Sequence, residues 1–246
     1  MNYYSLHHKS PKTTFKNAVI EGLAKDRGIY FPESITPLSK DFIDNITDYS
    51  NHEIAYEAIK QFVGDEIPTE KLKEIIANTV SFDFPVVKVD ENIGALELFH
   101  GPTFAFKDYA MQFLSRAFNQ ALKKRNKRGV ILGATSGDTG SAALEAFKGQ
   151  ENIDIFILFP HQRVSEVQQK QMTYINEPGA YALSVKSDFD GCQSIVKDCF
   201  EDLNFLDKRY GQEQSQKPQN ERSHLGLRES IEFVVNNVGR VGQLDG

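Results

Sequence analysis

Gly129-Val130-Ile131-Leu132-Gly133-Ala134-Thr135-Ser136-Gly137-Asp138-Thr139-Gly140 is the stretch on which the fold turns. The apolar run Gly129 to Leu132 reads as a buried strand, and the small and hydroxylated residues from Gly133 to Gly140 read as a loop. A helix then runs from Ser141 to Lys148 and stops at Gly149. The same rhythm repeats downstream. Ile153 to Phe159 is a strand halted by Pro160, Val164 to Tyr174 is helical, Ala180 to Val185 is a strand, and Asp190 to Leu203 is a helix. Strands alternating with helices predict an α/β protein with a parallel sheet covered on both faces.

Upstream, Asp108 to Arg125 is a helix with apolar positions at Ala110, Met111, Phe113, Leu114, Ala117, Phe118, Ala121 and Leu122. The basic run Lys123 to Arg128 closes it, as a helix dipole favours at a C-terminus; a phosphate site is the alternative reading. Leu96 to Phe99 is a short strand candidate. Before about Val80 the chain reads mostly as helices, over Phe15–Ala24, His52–Val63 and Lys71–Val80. A short extended piece at Gly28 to Pro32 is stopped by proline.

With 246 residues, 40% hydrophobic and 25% charged, the chain has the composition of a globular protein. A net charge of −6 argues against nucleic acid as a partner, which would call for clustered positive charge. No apolar run is long enough to span a bilayer, and no apolar segment of a signal peptide follows Met1. Cys192 and Cys199 stand seven apart in a helix-like stretch, about 10.5 Å along the axis. That is too far for a disulfide, and reduced thiols predict a cytoplasmic setting.

Two segments carry chemistry. In His100-Gly101-Pro102-Thr103-Phe104-Ala105-Phe106-Lys107-Asp108, a lysine stands at the positive end of a helix just after Phe104 and Phe106, which are expected to desolvate it, with Asp108 as the expected N-cap. Dipole and desolvation both favour a neutral amine, suited to Schiff-base formation. A surface lysine beside a cap is the other reading. The second segment is Thr135 to Gly140, which leaves a strand and opens a helix, so its N–H groups and hydroxyls suit an anion such as a carboxylate. A plain capped turn is the alternative. Its glycine spacing fits neither the dinucleotide nor the nucleotide-triphosphate loop. An imine lysine and an anion loop at two strand-to-helix junctions of one sheet suit a pyridoxal phosphate enzyme acting on an amino acid.

Glu97 to Asp108 resembles the cofactor-lysine motif of the threonine synthase family, and Ala134 to Ala143 resembles that family's substrate loop. Gly22 to Pro32, Phe62 to Pro68 and Asp188 to Gln193 match further motifs in the family's order, over about residues 1–207. The resemblance implies a fold-type II pyridoxal phosphate architecture, with a helical N-terminal domain at 1–84 and part of a parallel-sheet α/β domain at 85–207. It implies Lys107 as the catalytic, internal-aldimine lysine, with Lys107, Phe106 and Asp138 at the cofactor, pyridoxal 5'-phosphate. Thr135, Ser136, Gly137, Asp138 and Thr139 are implied as substrate contacts, and no metal is implied. The implied reaction converts O-phospho-L-homoserine and water to L-threonine and phosphate, with Lys107 moving protons at the α and β carbons.

From Arg209 onward the family pattern is not followed. The family's Ser-Ile-Asn helix and its glycine-rich loop for the cofactor phosphate have no counterpart here. The expectation is a truncated chain with a divergent, mobile tail at 208–246, polar over Gly211 to Asn220, and with an exposed apolar face on the 130–203 sheet. Two other readings stand beside an active enzyme. One is a non-catalytic remnant that binds a small anion or a full-length partner, and the other is a different fold-type II lyase acting on a hydroxy amino acid. The oligomeric state is not legible.

Overall fold

The computed structural model describes residues 1–201 and the pair 236–237. The expected mobile tail therefore lies outside the described residues, apart from Asn236–Asn237. Those two residues form a short strand antiparallel to the strand at Ala180–Val185, pairing Ala182 with Asn236 and Tyr181 with Asn237.

The centre is a parallel sheet of β6 (Gly129–Ala134), β7 (Ile153–Pro160) and β8 (Ala180–Val185), side by side in that order. The register pairs Ile131 with Ile155 and Ile157 with Ala182. Apolar side chains project from both faces, as expected where helices cover a parallel sheet twice. One face packs Ile131, Ile155, Ile157 and Ala182 against α5 (Lys107–Arg125), α6 (Asp138–Phe147) and α7 (Glu166–Thr173) through Phe118, Leu122, Leu144, Phe147 and Met172. The other packs Val130, Leu132, Leu158 and Val185 against α8 (Phe189–Glu201) through Cys192. Both faces thus carry a buried cluster, and the expected bare apolar face is not found among the described residues. Each fully buried Leu, Ile or Phe contributes roughly 1.5–3 kcal/mol relative to exposure.

The N-terminal part joins the same core. α1 (Phe15–Glu21) inserts Ile20 into the α5–α6 cluster, while α3 (Asn51–Val63) and α4 (Thr69–Thr79) build a second one from Val63, Ile67, Leu72, Ile75 and Ile76. Glu66 fixes the entry of α1. Its two carboxylate oxygens accept the Phe15 and Lys16 N–H groups at 3.0 and 3.1 Å, at the positive helix end. Burial pushes the nearby Tyr3 phenol up to about 12, and the charge of Glu66 adds to the shift. A capping box at Ser50 and Glu53 starts α3. β1 (Asn2–Ser5) pairs with β2 (Thr13–Thr14) and β3 (Tyr30–Pro32) in a small antiparallel sheet. Beside it, Asp26 accepts hydrogen bonds from Ser5 Oγ and from the Gly28 and Lys9 N–H groups. Desolvation opposes its charge, but these bonds prevail and hold the carboxyl far below the ordinary range.

Two expected boundaries shift, and the basic run takes the first of its two readings. The strand candidate at Leu96–Phe99 is displaced: β5 is Ile93–Leu96, and it forms a two-stranded ribbon with β4 (Val86–Asp90) that sequence reading overlooked. Its turn, Glu91-Asn92, has no glycine or proline to mark it. The basic run is a helix end and not a phosphate site. Lys123 pairs with Glu151 at 2.9 Å, Arg128 with Asp154 at 3.1 Å, and Lys124 Nζ donates to the Glu66 carbonyl at 2.5 Å. Finally, α6 starts at Asp138 and not Ser141, so Asp138 to Gly140 form its first turn.

Cys192 and Cys199 are not in a disulfide. No helix among the described residues is long and apolar enough to cross a membrane.

Candidate active site

The carboxyl ends of parallel strands are where open α/β sheets present ligands. Here β6 ends in the segment Thr135 to Gly137, and α5 brings its own N-terminus alongside α6.

The lysine arm is held by an unusual internal bracket. Asp108 accepts the Thr103 hydroxyl at 2.6 Å and the Thr103 backbone N–H at 2.9 Å, and its side chain is fully buried. Asp108 therefore does not cap α5 as the sequence suggested. The helix already begins at Lys107, so Asp108 lies one position inside it and reaches back to the preceding loop. Gly101 packs flat on this carboxylate and leaves no room for a Cβ. Gln171 of α7 donates to the Thr103 carbonyl at 3.0 Å, tying the loop to the sheet's helical layer. Between these ties Phe104 adopts a left-handed backbone, φ 59°, and its ring points to solvent. Phe104 thus does not desolvate Lys107. Phe106 does contact it, with the ammonium nitrogen 4.9 Å from the ring centroid.

In the loop arm, Thr135 is buried and turned inward. Its hydroxyl oxygen accepts the Gly137 N–H at 3.0 Å and the Gly140 N–H at 2.9 Å, so two loop donors are used inside the fold. Ser136 is exposed, and Asp138 and Thr139 are half-exposed on the rim. Gly137 has φ 148°, and a Cβ there would collide with the Gln168 side chain of α7. That backbone geometry is open to glycine and strained for other residues.

The two arms meet at one point. Lys107 Nζ lies 2.9 Å from Asp138 Oδ2, an ion pair 31 residues apart in sequence and only partly exposed. The hydrogen bond from Lys107 holds the Asp138 carboxyl below its usual range against the opposing effect of burial. The N–H groups of Thr139 and of Asp138 itself add to this. The anion position at the start of α6 is therefore filled by the protein's own carboxylate. A substrate carboxylate beside Asp138 would meet a like charge. Asp138 accepts the lysine's hydrogen bond at that position. Of the residues named from sequence, Lys107, Phe106 and Asp138 converge, Gly137, Ser136 and Thr139 border them, and Thr135 braces the loop from behind. Sequence reading missed Thr103, Gln168 and Gln171, whose roles depend on contacts across 5, 31 and 68 residues.

Residues 2–80 match the family described as threonine synthase N terminus. A threonine synthase of Pseudomonas aeruginosa is 41% identical over 211 residues, covering 84% of this chain and 45% of that protein. One from Schizosaccharomyces pombe is 35% identical, over 95% of this chain and 46% of its own length. Among solved structures, a PLP-bound threonine synthase from Brucella melitensis superposes with a TM-score of 0.81 at 44% identity, covering 84% of this chain and 46% of that one. The chain resembles threonine synthases over most of its length and spans about half the length of the curated relatives it matches. Its fold is of the fold-type II kind, with a helical N-terminal part and a partial parallel-sheet α/β part.

Proposed function

We propose that this chain carries the lysine-bearing part of a threonine synthase, which converts O-phospho-L-homoserine and water to L-threonine and phosphate. The observation that carries the reading is the Lys107–Asp138 contact. It brings the lysine motif and the small-residue loop to one point at the carboxyl edge of the sheet.

The residues fit pyridoxal 5'-phosphate at its aldehyde end. Lys107 supplies the primary amine, Phe106 an aromatic face beside it, and Asp138 a carboxylate that holds the lysine's proton. When bound, the cofactor supplies an electron sink for charge developing on the substrate's α carbon. Lys107 Nζ moves protons at the α and β carbons, and Asp138 orients that amine between transfers. The Ser136 N–H and the hydroxyls of Ser136 and Thr139 are the remaining donors for the substrate. In the overall reaction phosphate leaves the γ carbon, and water adds at the β carbon.

We further propose a cytoplasmic setting, in keeping with two cysteines that form no disulfide.

The test is spectroscopic. Adding pyridoxal 5'-phosphate to the purified chain should produce an absorption band near the violet edge. Borohydride reduction and peptide mapping should then tag Lys107, and Lys107→Ala should abolish both signals. A label spread over surface lysines such as Lys124 would remove the lysine assignment. A Lys107 label without threonine formation would favour the reading as a non-catalytic remnant.

A further inference from the structure

The carboxyl edge of the sheet has a second feature, beyond Lys107 and the 135–140 loop. β7 ends at Pro160 and β8 at Val185, and the two loops that follow leave side by side, joined by His161 N–H to the Val185 carbonyl at 2.7 Å. They enclose an open depression of about 350 Å³ lined by His161, Gln162, Arg163, Lys186 and Ser187. Among the described residues, Arg163 and Lys186 line it and no carboxylate does. The nearest acids in sequence are otherwise engaged: Glu166 pairs with Lys170 at 2.5 Å, and Asp188 accepts the Gly191 N–H at 2.8 Å. On a chain of net charge −6 this is a local positive focus and not part of a basic surface.

The lining has the donors that an oxyanion needs. Arg163 forms no ion pair among the described residues and offers a planar fork of N–H groups. Gln162 has a left-handed backbone, φ 55°, which turns the chain sharply between His161 and Arg163. His161 Nδ1 lies 2.9 Å from Ser184 Oγ; when the hydroxyl donates in that bond, the ring presents Nε2–H as a donor. Ser187 adds a hydroxyl.

We propose that this depression is a binding site for a phosphate-class oxyanion, either free phosphate or a small phosphomonoester, held by Arg163, Lys186, His161 and Ser187. Its volume is at the small end of ligand pockets and suits an ion or a compact ester. The site uses none of the residues assigned to the cofactor or the substrate, so it stands independently of the proposed function.

Residue-resolved amide NMR of the whole chain tests it. Titration with inorganic phosphate at constant ionic strength should give saturable shifts at the amides of Gln162, Arg163, Lys186 and Ser187. Arg163→Gln should weaken binding roughly tenfold, the loss expected for one charge-assisted contact. Arg163→Gln with Lys186→Gln should remove it, and both side chains belong to loops, so far-UV circular dichroism should be unchanged. Lys107→Ala should leave the shifts in place. A phosphomonoester such as O-phosphoserine that binds more tightly than phosphate would identify an ester as the ligand, whereas equal binding would identify the free ion. Shifts confined to residues 135–140, or equal shifts with chloride, would overturn the proposal.

Discussion

Thr103 gives Asp108 both its hydroxyl and its backbone N–H, at 2.6 and 2.9 Å, around a carboxylate that no solvent reaches. The residue beside the catalytic-lysine candidate is thus a fastener for the loop that aims it. Asp108→Asn exchanges one accepting oxygen for an NH₂ group that cannot accept. We expect a loss of about 1.5–3 kcal/mol in urea unfolding, the range for a hydrogen bond to a charged group. Borohydride labelling of Lys107 should fall as well. Unchanged stability and labelling would count against the fastening role.

The Lys107–Asp138 pair should show in pH dependence. Because the folded-state pKa of Asp138 is depressed, its contribution is full above the ordinary carboxylate value of about 4. It is lost as pH falls through the lower, native value. Both side chains are partly exposed, so the contribution is below about 1 kcal/mol. Melting temperatures of the wild type and Asp138→Asn should differ near neutrality and converge on acidification. A gap that widens in acid would reverse the assignment.

Gly137 combines a φ of 148° with a steric stop against Gln168. Gly137→Ala should cost about 1–3 kcal/mol. Adding Gln168→Ala removes the stop but leaves the backbone strain, so thermal denaturation of the double variant should recover only in part. Full recovery would mean that sterics alone matter there.

Glu66 caps α1 from 50 residues away. Glu66→Ala should lower stability by about 1–2 kcal/mol, the scale of a lost cap with its helix-dipole interaction. Glu66→Gln, which keeps one accepting oxygen, should lose less. Equilibrium unfolding of the two variants separates the cases.

The sheet was the readable part of the sequence. Ile153 to Pro160 is apolar on both faces, and such runs identify strands buried between helices with little dependence on distant contacts. Lys107 and Asp138 could be picked out from motifs, but their contact could not, since it depends on how α5 packs against α6. Asp108 was misread because an acid at a helix entry resembles a cap, and only the path of the preceding loop shows which N–H it serves. β1 was hidden for a similar reason. Ser5 is polar, yet it is fully buried by its bond to Asp26, so the strand lacks an apolar alternation. The depression at His161 to Arg163 left no periodic trace, because it is formed by two loops from different strands.

The β4–β5 ribbon has a consequence for handling the protein. Val86, Val87, Val89, Ile93 and Leu96 are all exposed on it. Water can replace its ladder bonds one at a time, so its amides should exchange with deuterium ahead of those in β6 to β8. Such a ribbon is also a template on which a second molecule can lay a strand. Lys88, Asp90 and Glu91 are the charges that resist this, and salt screens them. Raising the ionic strength should therefore favour self-association through this ribbon, and lowering it should favour the separate chain.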